Sequence, residues 1–205
     1  MKNFELNKQN FDALYTKITN EKLNDEDVLR VEKIDKIDIY DENTYAKLKD
    51  IKFKNGIIKV KMLSRLLPHA PDFARGFIGI VFRVNEDNSE FESYYVRPTN
   101  GRHPDPIRRS HGSQYFSFPG YTFSYFREFG IDKYEAPVDI DLDEWIDLKA
   151  IIKDEYAEFY VNDMDKPSLI VDKLKHGSGE KGYFGFYVDT GTEAFFKDLV
   201  IEILD

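Results

Sequence analysis

The chain has 205 residues, a formal net charge of −9 at pH 7 and 33% charged residues. The acidic balance argues against a nucleic-acid partner, because such binding depends on clustered Lys and Arg that neutralise phosphates. No apolar run approaches the ~20 residues of a membrane-spanning helix, and the absence of cysteine excludes a disulfide framework and thiolate metal sites.

The length and the amino terminus set further expectations. One β-sandwich often has about this length, so we expect a single domain over residues 1–205. The first residues contain no apolar core of signal-peptide type, which predicts a cytoplasmic protein, or a secreted one if a signal peptide has been removed. The four histidines lack zinc-motif spacing. We therefore expect no metal or other cofactor and no membrane partner, and the oligomeric state stays open.

The first predicted element is a helix near the amino terminus. Phe11, Leu14, Tyr15 and Ile18 have the i, i+3, i+4, i+7 spacing of one helical face. We expect residues 1–24 to form a helical extension that packs on the rest of the domain.

Residues 28–62 predict strands instead. Apolar residues alternate there with charged ones in a mostly two-residue rhythm, which is typical of strands. Asn55 and Gly56 form a pair that favours tight hairpin turns, because both residues tolerate positive φ. The composition agrees with this reading, since 17 Phe and 13 Tyr against one Trp suit pleated, half-buried surfaces.

The stretch Gly76–Arg102 predicts two apolar strands joined by a short acidic turn. If Val84 lies beside Phe91, Arg83 comes opposite Glu92, and Val81 comes opposite Tyr94. Such a face could hold a sugar, with the carboxylate accepting, the guanidinium donating and the tyrosine ring stacking. The alternative is a cross-strand salt bridge that binds no ligand.

The following loop, Thr99–Ser113, concentrates positive charge in an acidic protein. Loops of this length in compact domains are usually functional or disordered. Arginine forks match carboxylate and phosphate geometry, so the loop and the strand end before it are candidates for recognition of an anion or an acidic sugar. The alternative is surface ion pairing. The residues concerned are Arg97, Asn100, Arg102, Arg108 and Arg109.

After this loop the aromatic residues become dense between positions 115 and 129, and most of them are expected in the core. Tyr115, which begins this stretch, is added to the candidate binding residues. Further on, a turn at Asp154-Glu155 places Leu148 opposite Val161, with one wholly apolar face across the hairpin. A slip of one residue would mix the faces, so the pattern itself predicts the register.

The later segments repeat the strand pattern, and about twelve strands can be counted along the chain, spaced as in an all-β sandwich. Asp139, Asp141 and Asp143 would share one face of a strand, and in this they resemble the three-carboxylate strand of family-16 glucanases. The alternative, which fits their position in the chain better, is a solvated strand edge.

Four stretches together resemble the concanavalin A-like lectin/glucanase superfamily, and in particular the bacterial 3-keto-disaccharide hydrolase domain group and laminin-G-like modules. The similarity extends over residues 25–205. It implies an all-β, jelly-roll sandwich of two antiparallel sheets, here with a short N-terminal helix, and a carbohydrate partner on the concave sheet or the loops at its rim. The four stretches are GFIGIVFR, FESYYVRPTNGR, EWIDLKAIIKDEYAEFYVND and GYFGFYVDTGTEAFFKDLVI.

Three functional hypotheses follow. The first is a non-catalytic, lectin-like protein whose ligand contacts Glu92 and the predicted binding residues Arg83, Tyr94, Arg97, Asn100, Arg102, Arg108 and Tyr115. The alternative is a glycoside-processing hydrolase on the same fold, with Glu92 as the catalytic carboxylate beside a second carboxylate. A third is a stress or partner-binding module that has lost sugar recognition.

Overall fold

A computed structural model describes residues 2–36, 39–177, 179 and 181–204. Within these residues the strands form two antiparallel sheets, which confirms the all-β prediction. The strands are β1 Lys2–Phe4, β2 Phe11–Leu14, β3 Thr16–Leu23, β4 Glu26–Lys33, β5 Tyr45–Phe53, β6 Gly56–Leu66, β7 Ile78–Val84, β8 Phe91–Val96, β9 Ser113–Phe118, β10 Glu135–Ala136, β11 Ile146–Lys153, β12 Tyr156–Val161, β13 Leu169–Val171, β14 Gly182–Val188 and β15 Thr192–Ile203.

One sheet has the described strand order β13-β12-β11-β6-β15-β4-β3, with β1 pairing to β15 as its eighth strand. The other, seven-stranded sheet has the order β10-β9-β8-β7-β14-β5-β2. Three short helices lie between strands: α1 Pro98–Gly101, α2 Pro106–Ser110 and α3 Phe123–Glu128. None of these described helices is long and apolar enough to cross a membrane.

The predicted amino-terminal helix is wrong, because residues 2–23 form strands β1 to β3 around a single 3-10 turn, Lys8–Asn10. β2 pairs with β5 of one sheet and β3 with β4 of the other. Tyr15 lies between them in the left-handed region, with φ of 50°, where the chain crosses from sheet to sheet. The helical spacing of the apolar residues is thus overridden by sheet pairing, which tertiary context commonly does.

The hairpin register is confirmed, since Leu148 pairs with Val161 and Ile152 with Ala157. The Asn55-Gly56 pair does not make a hairpin, because it joins β5 of the seven-stranded sheet to β6 of the other sheet. A Cβ on Gly56 would lie 2.7 Å from the carbonyl oxygen of Glu202, so close backbone packing, rather than positive φ, requires glycine there.

The core lies between the two sheets. Phe186 stacks on Phe196 with ring centroids 4.1 Å apart, and Tyr94 stacks on Phe159 at 4.2 Å. Each pair joins a strand of one sheet to a strand of the other, so these rings identify the inward faces. Burial of such aromatic surface is the main favourable term in a sandwich of this kind.

The outer face of the seven-stranded sheet is covered as well. Tyr95 and Tyr187 flank Gly79 on neighbouring strands, and their rings are 5.4 Å apart. A Cβ at Gly79 would lie 2.1 Å from the carbonyl oxygen of Tyr94, so no other residue fits between them. The rings on this face are almost fully buried, so a ligand cannot lie flat across its middle. Besides Tyr95 and Tyr187, these rings include Tyr45, Phe91 and Phe116.

Two segments cross one end of this outer face. The backbone N–H of Phe123, at the start of α3, donates to the carboxylate of Asp41, and the Tyr40 ring packs edge-on against Phe123 at 5.7 Å. The segment before β5 and the helix α3 are thereby held together above the end of the sheet where β8 ends.

Candidate functional site

The predicted pairing of Arg83 with Glu92 is wrong by one residue. Phe82, not Arg83, pairs with Glu92, although Asn85 N donates to Glu90 O nearer the turn. β7 therefore carries one extra residue between these contacts, and Arg83 is left-handed there, with φ of 52°. This is a β-bulge, which re-aims a side chain, and periodicity along the strand does not predict it.

The Arg83 side chain joins three loops. Its guanidinium donates to the carbonyl oxygens of Lys54 at 3.0 Å, Gly177 at 3.0 Å and Asp154 at 2.6 Å. It is buried, and that burial lowers the pKa of Arg83 from its ordinary value. With these donors used on backbone acceptors, Arg83 stabilises the loops where they meet.

Glu92 is also enclosed. Its side chain lies on the inward face and is 1% exposed. Oε2 accepts from the Tyr115 hydroxyl at 2.6 Å, and Oε1 accepts from the backbone N–H of His176 at 3.0 Å. Tyr115 in turn accepts from Lys175 N at 2.7 Å. The four residues form a network that holds the 174–177 segment against the sandwich.

This end of the sandwich carries a groove of about 560 Å³ whose wall includes Arg83, Glu92 and His176. Tyr94 is absent from that wall because its ring stacks on Phe159 in the core. The structure brings Arg83, Glu92 and Tyr115 into one region, but their polar atoms contact one another or the backbone. The catalytic role of Glu92 stays a prediction.

At the other end of β8, three predicted residues come together. Arg97 donates to Glu135 at 2.7 Å, to the Tyr95 hydroxyl at 2.9 Å and to the carbonyl oxygen of His111 at 3.0 Å. Asn100 donates to the same carbonyl at 3.0 Å. These bonds fix α1 and the end of β8 in one geometry.

Arg108 joins this group from α2, donating to Asn100 Oδ1 at 2.8 Å. Its Nη1 lies 3.1 Å from His103 Nε2. Arg102 does not join the group, because it is turned toward Asp139 at 2.6 Å and Glu144 at 2.9 Å. Of the predicted binding residues, Arg97, Asn100 and Arg108 are therefore together, and Arg102 lies outside.

Asp139, Asp141 and Asp143 do not form a strand. They lie between β10 and β11, and Asp143 is left-handed with φ of 60°. Asp139 and Asp143 form ion pairs with Arg102 and Arg65. The likeness to a three-carboxylate glucanase strand is therefore not realised in the structure.

Beside Arg97 and Asn100 lies a cavity of about 340 Å³, which we call the aromatic–arginine pocket. Two loop segments and the helix α3 line it, and each contributes one aromatic ring and one charged side chain. The three pairs are Tyr40 with Asp41, Phe73 with Arg75, and Phe123 with Arg127; the remaining lining residues are Phe77, Tyr95, Arg97, Asn100, His111 and Asp189.

The rim of the pocket is accessible. Tyr40 is 44% exposed and Phe73 is 43% exposed. The Arg127 guanidinium lies over the Phe123 ring at 4.9 Å. Exposed rings that gather at the mouth of one cavity mark a candidate site for contact with a ligand or partner.

The floor of the pocket carries two buried carboxylates. Asp189 accepts from Lys33 Nζ at 2.6 Å, from the Tyr187 hydroxyl at 2.7 Å and from the backbone N–H of Asp41 at 3.0 Å. Burial, with repulsion from Asp189, raises the pKa of Asp41 to about 7. Asp41 therefore changes charge near neutral pH, while Lys33 neutralises Asp189.

A third carboxylate, Glu135, is shared between two arginines. It lies 2.7 Å from Arg97 Nη1 and 3.0 Å from Arg127 Nη2, and His111 Nδ1 lies 2.9 Å from it. Each of the two arginines thus has an acidic partner within the protein.

Arg75 differs from its neighbours. Its Nη1 donates to the carbonyl oxygens of Asp72 at 2.6 Å and Ala74 at 2.8 Å. Burial lowers the pKa of Arg75, and the nearby Arg108 and Arg97 lower it further. In the part of the chain that the structure describes, no carboxylate pairs with Arg75, and its Nε and Nη2 make no hydrogen bond.

The sequence analysis missed Asp41, Phe73, Arg75 and Arg127. Asp41 and Arg127 come from segments interpreted as strand and as aromatic core. The local signal they share is an aromatic residue within four positions of a charged residue, outside regular alternation.

No protein-family model and no curated protein sequence matches the chain. Solved structures match its fold. The carbohydrate-binding module CBM66 from Bacillus subtilis is 12% identical, with a TM-score of 0.58 over 93% of this chain and 97% of that one. A Bacillus subtilis protein of unknown function with a galectin-like fold is 13% identical, with a TM-score of 0.51 over 95% and 89%. These similarities confirm the predicted jelly-roll sandwich fold.

Proposed function

We propose that the protein binds a carbohydrate in the aromatic–arginine pocket. The observation that carries this proposal is the arrangement of exposed rings above a floor of fixed charges. A sugar ring has an apolar face, which an aromatic side chain can cover, and hydroxyls, which carboxylates and guanidinium groups can bind. The pocket combines both kinds of contact in one cavity.

The size of the pocket is consistent with a small glycan unit. Ligand pockets are commonly ~300–1,000 Å³, and 340 Å³ lies at the small end, which favours one or two sugar rings. The name of the matched Bacillus subtilis module, a carbohydrate-binding module, supports the same class of ligand. In this proposal the hydrogen bonds that Arg97, Asn100 and Arg108 make within the protein hold the pocket in its shape.

The direct test is a glycan array and calorimetry on the whole chain, followed by Tyr40→Ala. Tyr40 lies on the rim and half of its ring surface is open, so its loss should weaken binding about tenfold. Phe129→Ala is the matched control, because Phe129 is 61% exposed and lies outside the pocket. Unchanged binding in Tyr40→Ala, or an equal loss in Phe129→Ala, would place the site elsewhere.

A second candidate function is a glycoside-processing hydrolase, and one observation favours it. General acids work best with a pKa near the working pH, and burial raises the pKa of Asp41 to about 7 inside the pocket. Glycosidases use such a carboxyl beside a second one, and Asp189 is adjacent. Release of reducing ends from an oligosaccharide panel, lost in Asp41→Asn, would establish the enzyme; binding without release excludes it for that panel.

A further inference from the structure

We infer that the ligand of the aromatic–arginine pocket is an acidic sugar whose carboxylate binds the free edge of Arg75. This inference rests on the proposed function and adds the class of ligand. It depends on which cations of the pocket are already paired, which donors are left over, and where those donors lie in the pocket wall.

Most of the pocket's cations have a carboxylate partner within the protein. Arg97 and Arg127 share Glu135, and Lys33 pairs with Asp189. Arg75 has no carboxylate partner within the described residues. The local balance around Arg75 is therefore positive, in a protein whose net charge is −9.

Neighbouring arginines increase that imbalance. Among the described residues, Arg108 contacts Asn100 and His103 and pairs with no carboxylate. Burial lowers the pKa of Arg75, and repulsion from Arg108 and Arg97 lowers it further, while attraction to the Asp72 carboxylate acts in the opposite direction. An arginine held among like charges without a paired carboxylate costs stability, and an anionic ligand would offset that cost.

The geometry of the guanidinium indicates which anion fits. Nη1 is anchored by the carbonyl oxygens of Asp72 and Ala74 in the same loop. The donors that remain, Nε and Nη2, form one edge of the planar group. Two parallel N–H donors on one edge match the two oxygens of a carboxylate.

The position of Arg75 connects this anion to a sugar. Phe73 is two residues away in the same loop, and both residues line the pocket. The Phe73 ring is exposed and the Arg75 side chain is half-buried. A sugar ring that lies against Phe73 can direct a carboxylate toward Arg75, which is the arrangement expected for a hexuronic acid.

The experiment compares oligosaccharides of a hexuronic acid with the same oligosaccharides after reduction of their carboxyl groups, using calorimetry on the whole chain. We expect the acidic form to bind at least about tenfold more tightly, because hydrogen bonds between charged groups are the strong ones. Arg75→Gln should remove this preference and leave the affinity for the reduced form within about twofold.

Two further variants keep the result interpretable. Lys59→Gln removes the same charge from an exposed position on the eight-stranded sheet, and should keep the preference. Arg75→Lys keeps the charge without the planar fork and should lose most of the preference. It also serves as the test if Arg75→Gln fails to fold.

The outcomes separate the two proposals. Equal binding of acidic and reduced oligosaccharides by the wild-type protein overturns the acidic-sugar inference and leaves the proposed function standing. Tighter binding of a sulfated oligosaccharide than of the uronic one overturns the carboxylate assignment. If none of these glycans binds but another glycan on the array does, only the inference falls; if no glycan on the array binds, the proposed function falls with it.

Discussion

The two ends of strand β8 carry similar residues and use them differently. At the Glu92 end, Arg83 gives its donors to three backbone carbonyls, and Glu92 accepts from Tyr115 and His176. At the Arg97 end, Arg75 keeps free donors, and Asp41 has a pKa near neutrality. A candidate site differs from a structural network because it has unused hydrogen-bond donors beside an open cavity. The residue types at the two ends are similar.

The largest expected effect tests the Glu92 end. Glu92→Ala leaves the Tyr115 hydroxyl and the His176 N–H without their acceptor in a buried position, so we expect the free energy of unfolding to fall by about 3 kcal/mol. Urea titration measures this loss. The glycan affinity of the folded fraction should stay unchanged. If Glu92→Ala keeps its stability but binds no glycan, the binding site includes Glu92.

The next effect tests the floor of the pocket through pH. Burial raises the pKa of Asp41 from its ordinary value to about 7, so the folded state favours its protonated form. The stabilisation is complete below about pH 4 and is lost as the pH rises through about 7.

Asp41→Asn removes that titration and keeps an oxygen that can accept from Phe123 N. Relative to this variant, the wild type should lose about 2 to 3 kcal/mol of stability between pH 5 and pH 8. Denaturant midpoints of both proteins at the two pH values measure the difference. A constant difference between them would mean that Asp41 is ionised throughout this range.

A smaller effect separates binding from stability at the rim. Phe73→Ala should reduce glycan affinity about tenfold while changing the free energy of unfolding by less than about 0.5 kcal/mol, because the ring is exposed. Calorimetry and urea titration on the same preparation give both numbers. A large loss of stability with unchanged affinity would show that the rim has the same structural role as the Glu92 end.

The smallest effect concerns an acidic ligand. Ionised Asp41 repels a carboxylate in the pocket, whereas Arg75 attracts it, and Asp189 is neutralised by Lys33 at 2.6 Å. We expect uronic oligosaccharide affinity to fall severalfold as the pH rises from 6 to 8, and this dependence to disappear in Asp41→Asn. The same slope in both proteins would assign it to another group.

Part of the fold was predictable because its signals are local. The apolar face shared by Leu148, Ile152, Ala157 and Val161 specifies a register, and the structure has it. The bulge at Arg83 was not predictable, because one inserted residue leaves the alternation on either side intact while shifting the pairing. The spacing of Phe11, Leu14 and Ile18 predicted a helix wrongly, because strand pairing at the edges of two different sheets determined the conformation of those residues.

The sequence by itself determined the class of the fold and three residues that border or support the candidate site, Arg97, Asn100 and Arg108. Tertiary structure alone decided which other residues they meet, since Asp41, Arg75, Arg127 and Asp189 are far apart in the chain and join only when loops from different strands converge. Alternation acts over neighbouring residues and is readable along the chain. A pocket depends on contacts of long sequence separation and on which charges remain unpaired after folding, and no local pattern carries that information.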